Sequence, residues 1–348
     1  MKVKAKIFKI LFFVVVFAVT IYSVLKGKDL KSIWNAILGA RKRWIFLALL
    51  LTVLFICSES VIISYMLRVL KSPVKLWKCI LVSWIGFFYC YITPSATGGQ
   101  PMQMYYLKRE KVEYSVSMPV IMVVTITYKL ILVVIGIPLV IWGRPYVQEH
   151  VGAAAFWLYL GVLLNIICVG FMLLLLFRIN WAGKILYLGL RFLKKIHLVR
   201  NYEAAEAKLV AFMKSYQDTA NSIGGHWKML GNVMLITILQ RLFYFSISWC
   251  VYKSFGLSGT GFWTIIFLQA LIATAVDMLP FPGGMGITEH MFEFCFAAIY
   301  PAALLTPANL LMRGVTFYSI VFIGAVVTFV SAFVFKRRDH RSNQGVST

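Results

Sequence analysis

The stretch Thr93-Pro94-Ser95-Ala96-Thr97-Gly98-Gly99-Gln100-Pro101 interrupts an apolar part of the chain. A second interruption, Leu279-Pro280-Phe281-Pro282-Gly283-Gly284-Met285-Gly286, occurs in the second half. Each follows a hydrophobic run of membrane-helix length. Proline and glycine free backbone N–H and C=O groups that lipid cannot satisfy, so such breaks survive only inside protein or beside a polar cavity. Matched breaks in two halves of one chain indicate the binding site of a transporter.

Both breaks are rich in residues that end or bend helices. Gly98 and Gly283 are expected where the backbone needs a positive φ or a close approach that a side chain would block. The residues predicted to form the two breaks are Pro94, Thr97, Gly98, Gly99, Gln100, Pro101, Pro280, Pro282, Gly283, Gly284 and Gly286.

The composition predicts an all-α polytopic membrane protein. Hydrophobic residues make up 61% of the 348 residues, and the mean hydropathy is +0.82. Charged residues make up 14%, well below the share typical of soluble domains. The net charge of +23 would suggest nucleic acid as the partner of a soluble protein. Here lysine and arginine lie mostly between apolar runs, which suits membrane topology and anionic lipid headgroups, so no nucleic-acid partner is expected.

The first apolar run, from Ile10 to Leu25, follows four lysines and lacks a small-residue cleavage site, so we expect an uncleaved span. A short apolar helix is predicted near 287–300. The other apolar runs are 44–67, 74–92, 117–142, 154–177, 229–252, 262–279 and 309–335.

Basic loops predict the topology, because cytoplasmic loops carry an excess of lysine and arginine. The block 178–228, the tail from Lys336 and the N-terminus are expected in the cytoplasm. The basic stretches before and after 74–107 are both cytoplasmic only if this segment enters the membrane, turns at the break and returns. By the same count, 262–300 enters from outside and returns outside.

Six full spans and two re-entrant hairpins of opposite orientation result, as in an inverted repeat. The first repeat is expected at about 44–142 and the second at about 229–335. The segment 26–43 would be external although it is basic, and an amphipathic helix at the interface would account for it. Within the block 178–228, residues 181–200 fit an interfacial helix or a loop helix packed on the spans. A charged helix is expected over 202–222.

The two breaks carry a family resemblance. The first, followed by Tyr105-Tyr106-Leu107-Lys108-Arg109, resembles one signature of the lysylphosphatidylglycerol synthase transmembrane family, and Phe281 to Glu289 resembles the other. Full-length members resemble a lipid flippase fused to a cytosolic domain that moves lysine from lysyl-tRNA onto phosphatidylglycerol. Because the sequence stops at Thr348, soon after its last span, we expect it to lack the transferase domain. The resemblance implies one flippase-like transmembrane domain over 1–348.

Charged residues within apolar segments are the candidate site. Each costs roughly 2.5–3.5 kcal/mol at a membrane centre unless it has a partner or a wet cavity. One interpretation is fixed ion pairs, such as Arg241 with Asp277. The other is a polar substrate path in which Arg241 and Lys129 face a phosphate, since arginine bonds two phosphate oxygens at once. The path residues are Glu59, Lys129, Arg241, Asp277 and Glu289. Glu293 and Arg313 lie nearer segment ends and are expected to reach water by snorkelling.

No metal spacing occurs among the six cysteines or the scattered histidines, and no ATP motif, dinucleotide fingerprint or catalytic arrangement is visible, so no cofactor, metal or catalytic residue is predicted. The sequence predicts a cell-membrane flippase that moves an anionic or lysyl-modified phospholipid downhill or with an ion. Two alternatives stay open: a phosphatidylglycerol lysyltransferase, as the family name implies, and a membrane subunit that serves a separate lipid-modifying enzyme. Expected partners are membrane phospholipids with anionic headgroups, and either a second copy of the chain or such an enzyme is compatible with the sequence.

Overall fold

The structure, a computed structural model, describes residues 29–141, 155–178, 183–184, 187–188, 190–191 and 202–344, with side chains up to residue 331 in the last range. The predicted first span and most of the interfacial helix at 181–200 lie outside the described residues. The described part of the chain is helical and contains no strand.

The helices are α1 (Leu30–Gly39), α2 (Lys42–Val69), α3 (Leu76–Ile92), α4 (Gly99–Arg109), α5 (Tyr114–Ile141), α6 (Ala155–Phe177), α7 (Tyr202–Gly225), α8 (Trp227–Ser254), α9 (Phe262–Val276), α10 (Ile287–Phe296), α11 (Ala302–Arg313) and α12 (Ser319–Gln344). A π-helical turn, Gly314–Tyr318, joins α11 to α12.

Five helical segments in the described ranges are long and apolar enough to cross a membrane: α2, α5, α6, α8 and the continuous stretch Ala302–Ser331. Two shorter apolar helices, α3 and α9, each precede a break. These segments coincide with the apolar runs of the sequence, and the all-α membrane fold class is confirmed. The helix predicted over 202–222 is present as α7.

The two halves of the described chain have the same order of elements. In the first half, α2 is followed by α3, the first break, α4 and α5, and in the second half α8 is followed by α9, the second break, α10 and the α11–α12 stretch. The leading helices α2 and α8 both have 28 residues and pack against each other. The order fits the predicted repeats, whose boundaries and opposite orientation stay predictions.

The two breaks begin with the same backbone turn. After Pro94, Ser95 and Ala96 have φ values of 51° and 53°, and after Pro282, Gly283 and Gly284 have 55° and 65°. Residues with side chains therefore adopt left-handed conformations in the first break, where glycine was expected to do so. Gly98 itself has a helical φ of −82°. It is needed for space, since a Cβ there would lie 2.7 Å from Cγ2 of Thr93.

Apart from the two breaks, the described connections between helices lie at two opposite ends of the bundle. At one end, Lys78 at the start of α3 pairs with Glu110 after α4, and Ser215 of α7 donates to Ser115 of α5 over 2.8 Å. At the other end, the Arg41 amide donates to the Ser254 carbonyl over 2.8 Å. The segments 70–75, 110–113 and α7 thus share one end, and the start of α2 and the end of α8 share the other.

Candidate functional site

A polar layer lies between two apolar clusters of the bundle. One cluster contains Leu67 and Ile223, near the end where α7 packs, and the other contains Ile247 and Phe296, near the opposite end. The charged residues predicted from the sequence come from the helix regions between these clusters: Glu59 of α2, Lys129 of α5, Arg241 of α8 and Asp277 after α9.

The two breaks meet beside this layer. The ring of Tyr91, near the end of α3, packs edge-on against the ring of Phe317 in the π turn, with centroids 5.3 Å apart. Gly283 of the second break lies against both rings, because a Cβ there would be 2.1 Å from Cε2 of Phe317 and 3.1 Å from Cδ1 of Tyr91. The first helix pair, α3 and α4, therefore contacts the second break directly.

Lys129 and Asp277 form an ion pair. Nζ of Lys129 lies 2.5 Å from Oδ2 of Asp277, and the Tyr128 hydroxyl donates to Oδ1 over 2.6 Å. Asn165 of α6 offers its Oδ1 to Lys129 at 3.4 Å. Asp277 therefore neutralises Lys129, whereas the fixed-pair interpretation had linked it with Arg241.

A second pair holds the second break. Nε of Arg313 lies 2.7 Å from Oε1 of Glu289, and the other oxygen of Glu289 accepts the Gly286 amide over 2.8 Å. Arg313 also donates to the Gly283 carbonyl over 3.1 Å. Arg313 is only 5% exposed. The prediction that it snorkels to water is wrong, because the break frees a carbonyl and an amide that this pair satisfies.

Arg241 has a different environment. Its guanidinium carbon lies 4.9 Å from the Phe55 ring centre and 4.8 Å from that of Tyr128, and the Tyr244 ring is 5.9 Å away. Within the described ranges, the guanidinium forms no ion pair and its buried Nε has no hydrogen-bond partner. Aromatic faces attract a cation without bonding its N–H groups. The arginine is thus held in place with its donors available to a ligand.

Glu59 lies one helical turn after Phe55 and has a neutral partner. Its Oε1 accepts a hydrogen bond from Nε2 of Gln103 over 2.6 Å. Arg241 is close enough to Glu59 to interact electrostatically, although the two form no ion pair. Gln103 packs tightly on Gly86, where a Cβ would be 2.3 Å from its Nε2. The carboxylate therefore links α2 to both helices of the first pair.

The first break is held by neutral groups. Gln100 donates to Oγ1 of Thr125 over 2.7 Å, and the Gly98 amide donates to Oγ1 of Thr93 over 2.9 Å. Residues 94–97 are exposed. The ion pair at the second break has no counterpart among these contacts.

A comparison with protein families decides the membership of the chain. The family model described as the lysylphosphatidylglycerol synthase TM region matches residues 7–324, which include both breaks and the polar layer. The chain belongs to the lysylphosphatidylglycerol synthase TM family. The suspected resemblance is confirmed. A search of curated proteins finds no match.

In this member of the lysylphosphatidylglycerol synthase TM family, four predicted path residues occupy one layer, and Glu289 lies in the first turn of α10, directly after the second break. Their role in a path stays a prediction. Among the described residues, no group of three or more histidine, cysteine or acidic side chains is placed to hold a metal. The neutral partners of the charges are Phe55, Gln103, Tyr128 and Asn165. No sequence pattern singles them out, because their proximity to the charges depends on tertiary packing.

Proposed function

We propose that this protein is a lipid flippase. The phosphate-bearing headgroup of a phospholipid would cross between the leaflets along the polar layer beside the two breaks, while the acyl chains stay in the bilayer. Membership of the lysylphosphatidylglycerol synthase TM family and the apolar helices support a membrane protein that handles a lipid. The protein is expected in the cell membrane, with both termini in the cytoplasm and an anionic or lysyl-modified phospholipid as substrate.

The environment of Arg241 is the observation that carries the proposal. Asp277 neutralises Lys129 and Glu289 neutralises Arg313, but no described carboxylate pairs with Arg241. A guanidinium whose N–H groups have no acceptor is costly in a membrane bundle unless a ligand or water accepts hydrogen bonds from them. A phosphodiester meets this need, because the planar guanidinium donates two parallel hydrogen bonds to two phosphate oxygens. The flanking rings of Phe55 and Tyr128 hold the guanidinium in position for this contact.

The two breaks are held by contacts of different strength, and this difference supports different roles for the helix pairs on either side of each break. An ion pair and a bond to a break carbonyl fix the second break, whereas the first is exposed and held by neutral hydrogen bonds. Neutral hydrogen bonds are roughly half as strong as those that involve a charge. We propose that α3 and α4 move while the second break stays fixed, so that Arg241 faces the two leaflets in turn.

Purified protein in liposomes tests this function. Fluorescent phosphatidylglycerol is placed in both leaflets, and a membrane-impermeant reductant bleaches the lipid that reaches the outer leaflet. We expect the wild-type protein to expose the inner pool to the reductant without added nucleotide. Arg241→Ala should slow this exchange by about tenfold or more, since a hydrogen bond to a charged group contributes about 1.5–3 kcal/mol.

Lys253→Ala is the matched control. Lys253 is also a half-buried cation of α8, 4.6 Å from the ring centre of Trp249, but it lies near the end of the helix. It should retain the wild-type rate. Thermal stability should fall less in Arg241→Ala than on loss of one partner of a contacting ion pair, because Glu59 does not contact Arg241 and keeps its hydrogen bond to Gln103. Equal exchange by wild-type and empty liposomes, with phosphatidylglycerol, its lysyl form and a polyprenyl phosphate, would contradict the proposal and favour a subunit that serves a separate enzyme.

A further inference from the structure

Within the part of the chain that the structure describes, Glu59 and Arg241 are the charged residues of the polar layer that form no ion pair. The other four charges near the breaks form the pairs Lys129–Asp277 and Arg313–Glu289. Glu59 instead accepts from the neutral amide of Gln103, and Arg241 stacks on aromatic rings. The two opposite charges interact at a distance without closing a contact. An arrangement of this kind leaves each of them able to bind a separate ligand.

We propose that Glu59 binds a proton that travels with the lipid, so that the protein moves one proton with each phosphodiester headgroup. The inference rests on the proposed flippase function, for which it names the driving ion. The proton binds a carboxylate oxygen of Glu59 from water on one side of the membrane and leaves to water on the other side. The phosphodiester, held by Arg241, crosses with it, and no covalent bond of the lipid changes.

The charge balance of the layer supports this coupling. With Glu59 ionised, the three carboxylates of Glu59, Asp277 and Glu289 balance the three cations Lys129, Arg241 and Arg313. A phosphodiester that entered this neutral layer would add an uncompensated charge at membrane depth. Protonation of Glu59 gives the layer a single positive charge, which the phosphodiester then neutralises. Proton and anion therefore bind together more favourably than either binds alone.

Glu59 influences the binding of the lipid phosphate through its neighbour Arg241. The Lys129–Asp277 pair lies beyond Tyr128 and is balanced within itself, and Arg313 is balanced by Glu289. The titratable or charged groups on the elements around Glu59 are Arg241 and Tyr244 of α8, Cys90 and Tyr91 of α3, Tyr128 and Lys129 of α5, Asp277, and Arg313 before the π turn. Loss of the charge on Glu59 thus raises the affinity of Arg241 for an anion, and linkage requires the anion to raise proton affinity by the same factor.

The hydrogen bond to Gln103 connects the proton to the first helix pair. Gln103 lies in α4, packs on Gly86 of α3, and bonds to the carboxylate of Glu59 in α2. A hydrogen bond to an ionised carboxylate is about twice as strong as one to a neutral acceptor. Protonation therefore weakens the attachment of α3 and α4 to α2 at the moment when Arg241 becomes free to hold a phosphate.

Binding of a short-chain phosphatidylglycerol to the detergent-solubilised full chain tests the proton site. For the wild type, we expect affinity to be roughly tenfold higher or more at acidic than at alkaline pH, the size of effect that a nearby unit charge produces at an effective dielectric constant of about 20. Glu59→Gln, a neutral isostere, should bind with the acidic-pH affinity at every pH. Glu113→Gln, at an exposed ion pair outside the layer, should behave as the wild type.

Transport in liposomes tests the coupling. A pH gradient should drive wild-type accumulation of fluorescent phosphatidylglycerol in one leaflet, whereas a potassium-diffusion potential should not, because the proton and the lipid anion together carry no net charge. Glu59→Gln should no longer accumulate the lipid in response to the pH gradient. Thermal unfolding in detergent shows whether the variant is folded, and Glu59→Asp, which keeps a titratable group, should restore the response to the gradient.

The outcomes separate this inference from the flippase proposal. Lipid exchange by wild type and Glu59→Gln with the same pH dependence would overturn the proton site and leave the flippase standing. Binding that depends on pH through Glu59, without any lipid exchange, would support the proton site and overturn the flippase. A wild type whose binding of phosphatidylglycerol is independent of pH would overturn the inference in either case.

Discussion

Gly283 shows how a single residue sets the contact between the two breaks. Its φ is +55°, a conformation that L-residues adopt at a cost, and two aromatic rings occupy the space of a Cβ. Ser95 takes the corresponding place in the first break with a φ of 51°, yet it is exposed. Glycine is required at the second break by crowding and backbone conformation together, whereas the first break tolerates a side chain because it is open.

We expect Gly283→Ala to lower the free energy of unfolding by about 2 kcal/mol or more, from the left-handed backbone and the overlap with Phe317. The matched control is Gly231→Ala, in an exposed helical position of α8 with no atom near the added Cβ. That change should be neutral or stabilise by about 0.5–1 kcal/mol. Thermal unfolding of both variants in the same detergent gives the comparison. Equal melting temperatures would mean that the second break yields easily to a side chain.

At the residue scale, the charged residues of the candidate site could be predicted from the sequence more successfully than their interaction partners. It was possible to single out Glu59, Lys129, Arg241 and Asp277 because a charge within an apolar run is rare. The pairing of Arg313 with Glu289 could not be predicted, since the two residues lie on different helices and meet only through the fold of the second break. A position near the end of an apolar run does not show whether a side chain reaches water.

The helix α1 has three distinct faces, which become visible only when its residues are placed on the helix. Its buried side, which includes Ile33, packs toward α11, while Leu30, Trp34 and Leu38 form an exposed apolar stripe and Lys31, Ser32 and Asn35 an exposed polar one. Three faces of this kind fit a helix that lies along the surface of the protein with one face in the lipid interface and one in water. This geometry agrees with the amphipathic helix expected within the segment 26–43, of which α1 covers Leu30–Gly39.

Spin labels on α1 test its placement. A nitroxide at Trp34→Cys in liposomes should be reached by oxygen, which concentrates in lipid, and a nitroxide at Ser32→Cys should be reached by a water-soluble nickel chelate. Both positions are exposed on the same helix and differ only in the face they occupy. Equal access of the nickel chelate to both labels would place α1 in water and contradict an interfacial helix.

The helices themselves were predictable from apolar runs, because a membrane span must satisfy all its backbone groups internally and so has a long, continuous signal. The turns were less predictable. The positions of both breaks could be predicted from their prolines. The residues with left-handed backbone conformations could not, because they are Ser95 and Ala96 in the first break and glycines in the second. Backbone conformation at such positions is imposed by the packing of the flanking helices, which local composition does not encode.

For the whole molecule, the two ends of the bundle differ in the segments that they contain. The segments around 70–75 and 110–113 and the helix α7 share one end with many basic residues, including Lys71 and Lys111. The opposite end brings together the start of α2, the end of α8 and the start of α11. The grouping of 70–75 with 110–113 is what a segment that enters and returns on one side requires, and the positive-inside rule predicts that this end lies in the cytoplasm.

Labelling of single cysteines in intact cells tests this topology and, with it, the inverted repeat. After replacement of the six native cysteines, Lys111→Cys should be shielded from an impermeant thiol reagent and Ala303→Cys should react with it. Both positions are exposed in the structure, so burial does not account for a difference between them. Permeabilised cells, in which both should react, provide the control. Because 70–75 and 110–113 share one end of the bundle, reaction of Lys111→Cys in intact cells would place that whole end outside the cell and overturn the predicted orientation.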